Sequence, residues 1–119
     1  MSPPASETGE ADARWRRIGA GLAGLGVAAG AFGAHVLEHH ARLDTWKTGA
    51  LYHLIHGIAL CIPGLPRLSR RFLLAGTAIF SGSLYLLVLL DEPRFGAITP
   101  IGGVALILGW LLAARPGKP

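Results

Sequence analysis

Four apolar stretches, 18–37, 45–65, 72–90 and 96–114, fill most of this 119-residue chain. Each approaches the ~20 residues that a helix needs to cross a ~30 Å hydrocarbon layer. Residues 18–34 and 72–90 carry no charged side chain at all. In lipid a backbone N–H or C=O has no water to bond, so such a segment must close its own hydrogen bonds as an α-helix. Strands of a membrane β-barrel would be shorter and would alternate polar with apolar residues; these stretches do not alternate. Only 15% of the residues are charged, against about a quarter in soluble domains. The expected fold is therefore all-α: an integral membrane four-helix bundle, with the lipid bilayer as its surroundings.

The basic residues give that bundle an orientation. Arg14, Arg16, Arg17, Arg67, Arg70, Arg71, Arg115 and Lys118 flank the stretches on one side, and Arg42, Lys47 and Arg94 on the other, eight against three of the eleven. Lys and Arg accumulate on the cytoplasmic side, so both termini are expected in the cytoplasm. The net charge of +4 is split among short segments between apolar blocks and forms no continuous basic face, so nucleic acid is not an expected partner. Residues 1–17, with Pro3, Pro4, Ser6 and Gly9, read as a disordered cytoplasmic tail, and 115–119 as a second tail. A signal peptide with Arg14–Arg17 as its basic region is the lesser alternative. Asp44 reads as the N-cap of the second helix, Ser69 of the third and Thr99-Pro100 of the fourth. Pro63-Gly64-Leu65-Pro66 ends the second.

Small residues recur at helical spacing. Gly19, Ala23, Gly26, Gly30 and Gly33 fall on one face of helix one, and Gly102, Ala105, Gly109 and Ala113 on one face of helix four. In lipid such faces let helices approach closely, and packing replaces the missing hydrophobic drive. Contact within the bundle is the expected use. A membrane-protein partner or a second copy of the chain is the other.

Polar atoms inside the spans are the candidate site. Tyr52, His53 and His56 share one side of helix two, and Ser81, Ser83 and Tyr85 lie in helix three. Counting residues from the span ends puts His56 near the midplane, level with Ser81. Intramembrane histidines default to a functional hypothesis, but interhelical hydrogen bonds also serve as structural glue. Glue is the leading expectation, and a polar path for protons or ligands the rival.

His35-Val36-Leu37-Glu38-His39 spells H-x-x-E-H, a zinc-peptidase pattern. That chemistry needs a third ligand and a water-filled cleft with substrate-binding surface. This pentapeptide sits at a helix end in a chain without a soluble domain, so a coincidental match is expected, with a surface metal contact by His35 and His39 the minor alternative. No phosphate-binding or dinucleotide fingerprint is present. No carboxylate lies inside a span, unlike the small proton-coupled drug antiporters. His53 and His56 share one helix, which does not suit axial ligation of a haem between helices. No cofactor is expected, and no enzymatic reaction.

Gly30-Ala31-Phe32-Gly33-Ala34-His35, the Trp46, Thr48-Gly49, Tyr52 and His56 series, Phe80-Ser81-Gly82-Ser83-Leu84-Tyr85, Ile98-Thr99-Pro100-Ile101-Gly102-Gly103 and Gly109-Trp110 occur in that order. Together they resemble the bacterial domain-of-unknown-function 423 family, which includes the eukaryotic transmembrane protein 256 group, over about 18–114. The resemblance implies a small multi-pass protein of the bacterial inner membrane and brings no established activity, ligand or cofactor. It adds Thr99 to the polar set of His56, Ser81, Ser83 and Tyr85, and it leaves Glu38 and His39 outside the shared pattern. An accessory or assembly module is the expected function, with a small transporter or channel built around His56 as the alternative.

Overall fold

The structure, a computed structural model, describes residues 5–115, with side chains from Thr8 onward. It consists of helices α1 (Ala5–His35), α2 (Leu43–Leu60), α3 (Arg67–Leu89) and α4 (Thr99–Ala113), with a 3₁₀ turn over Pro93–Ala97 leading into α4. No strand occurs among the described residues. Three segments, Thr8–His35, Arg67–Leu89 and Pro93–Ala113, are long and apolar enough to cross a membrane. α2 is not among them. It carries Asp44, Lys47, His53 and His56 within 18 residues, yet it runs beside α1 and α3 through the same depth. Leu25, Val27, Leu51, Ile55, Ile58, Leu86, Ile101, Val104, Ile107 and Leu111 are exposed. In water that surface would aggregate; in lipid it meets its own kind.

Several boundaries differ from expectation. The expected disordered tail is helix from Ala5 onward. Asp12 explains part of this: its carboxylate accepts from the Gly64 N–H at 3.1 Å and pairs with the Arg70 guanidinium, which ties the start of α1 to the α2–α3 connection. Residues 1–4 and 116–119, with Pro3, Pro4 and Lys118, lie outside the described residues. α2 ends at Leu60 rather than 65, because Pro63 has no N–H to donate to Ala59 and its ring crowds that carbonyl. The turn beyond it uses Gly64 at φ +79°, where a side chain would be strained.

The expected caps also change. α2 starts at Leu43, so Asp44 stands in its first turn, and the His40 imidazole Nδ1 accepts the Arg42 N–H at 2.9 Å. Ser69 is fully buried within α3, two residues past its first residue. Thr99 is the first residue of α4.

The helices run up, down, up, down, with each packed on the next in sequence. Facing pairs fix the register. Gly26 meets Leu54 and Gly33 meets Trp46 across α1–α2; Gly49 meets Leu84 across α2–α3; Gly102 meets Phe80, Gly76 meets Leu106 and Gly109 meets Leu73 across α3–α4. Leu60, Leu73 and Leu106 form one apolar core with Ala59, into which Trp15, Ile18 and Leu22 of α1 also pack. A Cβ on Gly19, Gly26, Gly33, Gly102 or Gly109 would meet the neighbouring helix within about 3 Å. Gly30, expected on the same face, differs: a Cβ there would touch nothing within 4 Å.

At the end away from the termini, Arg42 Nε donates to Asp91 Oδ1 at 2.7 Å. This hydrogen bond, with the charge behind it, holds the Asp91 carboxyl below its ordinary value of 3.8. A depressed carboxylate pKa stabilises the folded state above the unfolded value, and that contribution fades as pH falls through the folded one. The clasp is thus complete at neutral pH. A carboxyl NMR titration should give Asp91 a midpoint below 3.8 that rises toward it in Arg42→Gln or in high salt, because an exposed pair is screened.

Candidate functional site

The intramembrane polar atoms are distributed along the helix contacts as separate bonds. Ser81 of α3 donates to the Gly49 carbonyl of α2 at 2.7 Å, and Ser69 of α3 to the Gly109 carbonyl of α4 at 2.8 Å. A helical carbonyl already accepts one N–H and keeps a second lone pair for such a bond. Ser83 and Thr99 share a hydroxyl–hydroxyl bond of 2.7 Å across α3–α4. Thr77 turns back to the Leu73 carbonyl of its own helix at 2.7 Å. Trp46 Nε1–H donates to the Ala29 carbonyl at 2.7 Å and ties α2 to α1.

His56 is 4% exposed and is bonded through both ring nitrogens. Trp110 Nε1 lies 3.0 Å from His56 Nε2, and His56 Nδ1 lies 2.7 Å from the Tyr52 carbonyl. An indole N–H can only donate and a carbonyl can only accept. The imidazole must therefore be the neutral tautomer with its proton on Nδ1: Nδ1–H donates to Tyr52, and Nε2 receives the Trp110 N–H. Neither nitrogen is left to bind a metal or relay a proton without breaking one of these bonds.

His56 does not meet Ser81, contrary to the depth count. With Gly49 against Leu84 and Leu60 sharing a core with Leu73, the antiparallel register sets His56 opposite Thr77, one turn from Ser81. The count failed because α2 ends five residues earlier than expected. His53, at the level of Ser81, bonds Tyr85 Oη through Nδ1 at 2.8 Å. Its Nε2 is buried and makes no hydrogen bond of full geometry, although the Leu22 backbone lies close enough to interact with the ring, and a cavity of about 160 Å³ lined by Leu22, Leu74, Thr77, Ala78, Gly82 and Tyr85 adjoins it. Tyr52 contributes its carbonyl, and its ring packs on Phe80 at 4.5 Å; its hydroxyl joins no bond in the layer.

Sequence reasoning missed Trp110 as a partner of His56. The signal was there: its indole is the only side-chain N–H donor in α4. Ser69 carries the cap signal of many serines, a place near a helix start, but its hydroxyl goes to the Gly109 carbonyl.

The H-x-x-E-H pentapeptide leaves α1 at His35, and Glu38 and His39 are exposed, 3.4 Å apart. His40 turns to the α2 backbone. Among the described residues no three or more His, Cys, Asp or Glu side chains gather where they could hold a metal ion.

Against known proteins, a family model described as a protein of unknown function, DUF423, matches residues 29–103. The chain is 39% identical to the UPF0382 membrane protein YwdK of Bacillus subtilis, over 80% of this chain and 88% of that protein. It is 40% identical to a UPF0382 membrane protein of Staphylococcus aureus, over 80% and 87%, and 41% identical to one of Staphylococcus saprophyticus, over 80% and 88%. No solved structure matches.

Proposed function

The chain belongs to the DUF423 family of membrane proteins, and from that premise we propose that it is a non-enzymatic accessory or assembly module of the bacterial inner membrane. The observation that carries this reading is that the polar groups around His56 are bonded within the chain. His56 is bonded at both nitrogens, and the Ser69, Thr77, Ser81, Ser83 and Thr99 hydroxyls each have a partner within the chain. Those bonds join α2 to α3, α3 to α4 and α2 to α4, which is what glue does. Lipid-facing surface remains available to another protein, including the open small residues Gly21, Gly24 and Gly30 of α1. Reconstituted into liposomes, the protein should leave proton and ion leak at the level of protein-free vesicles. A flux abolished by His56→Phe would overturn the proposal.

A small transporter is the second reading, and one observation favours it: the His53 ring beside the 160 Å³ cavity, with no hydrogen bond of full geometry at Nε2. Such a path would run through His53 rather than the fully bonded His56, so flux lost in His53→Gln but kept in His56→Phe would be its signature.

The proposed orientation places both termini in the cytoplasm, on the excess of Arg and Lys at that end. In a Cys61→Ala background, a cysteine at position 39 or 92 should react with an impermeant thiol reagent in intact cells. One at 9, 67 or 115 should react only after lysis. The opposite pattern would reverse the orientation.

A further inference from the structure

At the end of the molecule where α4 finishes, the first turns of α1 and the α2–α3 connection enclose a cavity of about 610 Å³. Its charged walls are Glu10, Asp12, Arg14, Arg67, Arg70 and Arg71, four cations against two anions. Asp12 is already committed to Arg70 and the Gly64 N–H. Arg14, Arg67 and Arg71 are exposed and have no carboxylate partner among the described residues. Arg70 is different: it is 4% exposed, and although Nη2 pairs with Asp12, its Nε is buried with no acceptor at all. A buried, charged N–H left without an acceptor is costly. That Nε is shut away from the cavity, so what faces the cavity is the three exposed guanidiniums, and a wall with that unpaired charge is short of an anion with several oxygens.

We propose that this cavity binds a phosphate group, and that the phosphate is the headgroup of an anionic phospholipid. Phosphate matches the guanidinium fork in geometry and charge. The location selects the lipid as its source. Arg14 lies just outside the apolar run that starts at Ile18, and Arg67, Arg70 and Arg71 just outside the run that starts at Phe72. Trp15, also in the cavity wall, packs its ring into the adjoining apolar core, as interfacial tryptophans do at headgroup level. Basic pockets between membrane helices at this depth take anionic headgroups, and the acyl chains would continue along the apolar surfaces of α1 and α3. The site stands independently of whether the protein assembles partners or transports a solute.

The experiment is a lipid titration of the delipidated full-length protein in a neutral detergent, read by native mass spectrometry and by thermal unfolding. Phosphatidylglycerol should bind one per chain and raise the unfolding temperature, and phosphatidylcholine should do neither. Arg67→Gln/Arg71→Gln alters two exposed residues, so its unfolding temperature without lipid should match the parent. Its affinity for phosphatidylglycerol should fall about tenfold or more, as expected for losing charge-assisted contacts. Arg14→Gln, at a third exposed residue of the same wall, should also weaken binding. Equal binding of phosphatidylcholine, or phosphatidylglycerol binding unchanged in both variants, would overturn the site. An equal response to inorganic phosphate or glycerol 3-phosphate would overturn the lipid as its source.

Discussion

Gly57→Val is expected to separate α1 from α2, and Gly102→Val to separate α3 from α4. A Cβ on Gly57 would stand 2.6 Å from the Ala23 nitrogen, 2.9 Å from its Cα and 3.1 Å from the Gly19 carbonyl oxygen. On Gly102 it would fall on the Phe80 nitrogen and Cα and on the Gly76 carbonyl. Every one of these atoms is backbone. No rotamer change can make room, so the helices must move apart and lose the contacts on either side. The cost should reach or pass the upper end of the about 1–3 kcal/mol usual for overpacking. Cysteine crosslinking between α1 and α2, and the denaturant midpoint in detergent, would both report it. Gly30→Val is the control, because nothing lies within 4 Å of its Cβ position. It should be neutral for the isolated protein, or slightly stabilising, since glycine is a poor helix former. A Gly30→Val protein that is stable alone but loses function in the cell would place a partner helix on that face.

The glycine pattern was legible because it is a one-dimensional signal: spacing of three and four defines a face without knowledge of the neighbour. The same holds for the apolar blocks. What the chain cannot show in one dimension is pairing. Gly30 shares the angular position of Gly19 and Gly26, yet α2 passes it without contact. Asp12 looks like any acidic residue of a polar tail until Gly64 and Arg70 are brought beside it. Likewise, the level of His56 depended on where α2 stops. The sequence sets the end of the second stretch at 65, inside Pro63-Gly64-Leu65-Pro66, whereas a proline ends a helix ahead of its own position. The resulting shift of about a turn exchanged Ser81 for Thr77 as the residue opposite His56.

That exchange is why the second large effect is expected at His56 and Trp110, with Ser81 uninvolved. His56→Leu removes the only acceptor of the Trp110 indole N–H and the donor to the Tyr52 carbonyl. The carbonyl keeps its helical bond. The indole, at a surface that faces lipid, finds no water to replace the imidazole. Interhelical bonds of this kind are worth about 0.6–2 kcal/mol in membranes, and the stranded donor should bring the loss to about 2 kcal/mol. Trp110→Phe keeps an aromatic side chain, though a smaller one, and removes the N–H, so it should cost less on its own. Combined with His56→Leu it should add almost nothing further, because the bond it would break is already gone. Ser81→Ala breaks a different bond, to the Gly49 carbonyl, and should add to His56→Leu within about 0.5 kcal/mol. A double-mutant cycle on the unfolding midpoint separates the two cases. Strong coupling of His56 to Ser81 with none to Trp110 would mean that the imidazole turns toward α3, and would reopen the midplane path that its present bonds close.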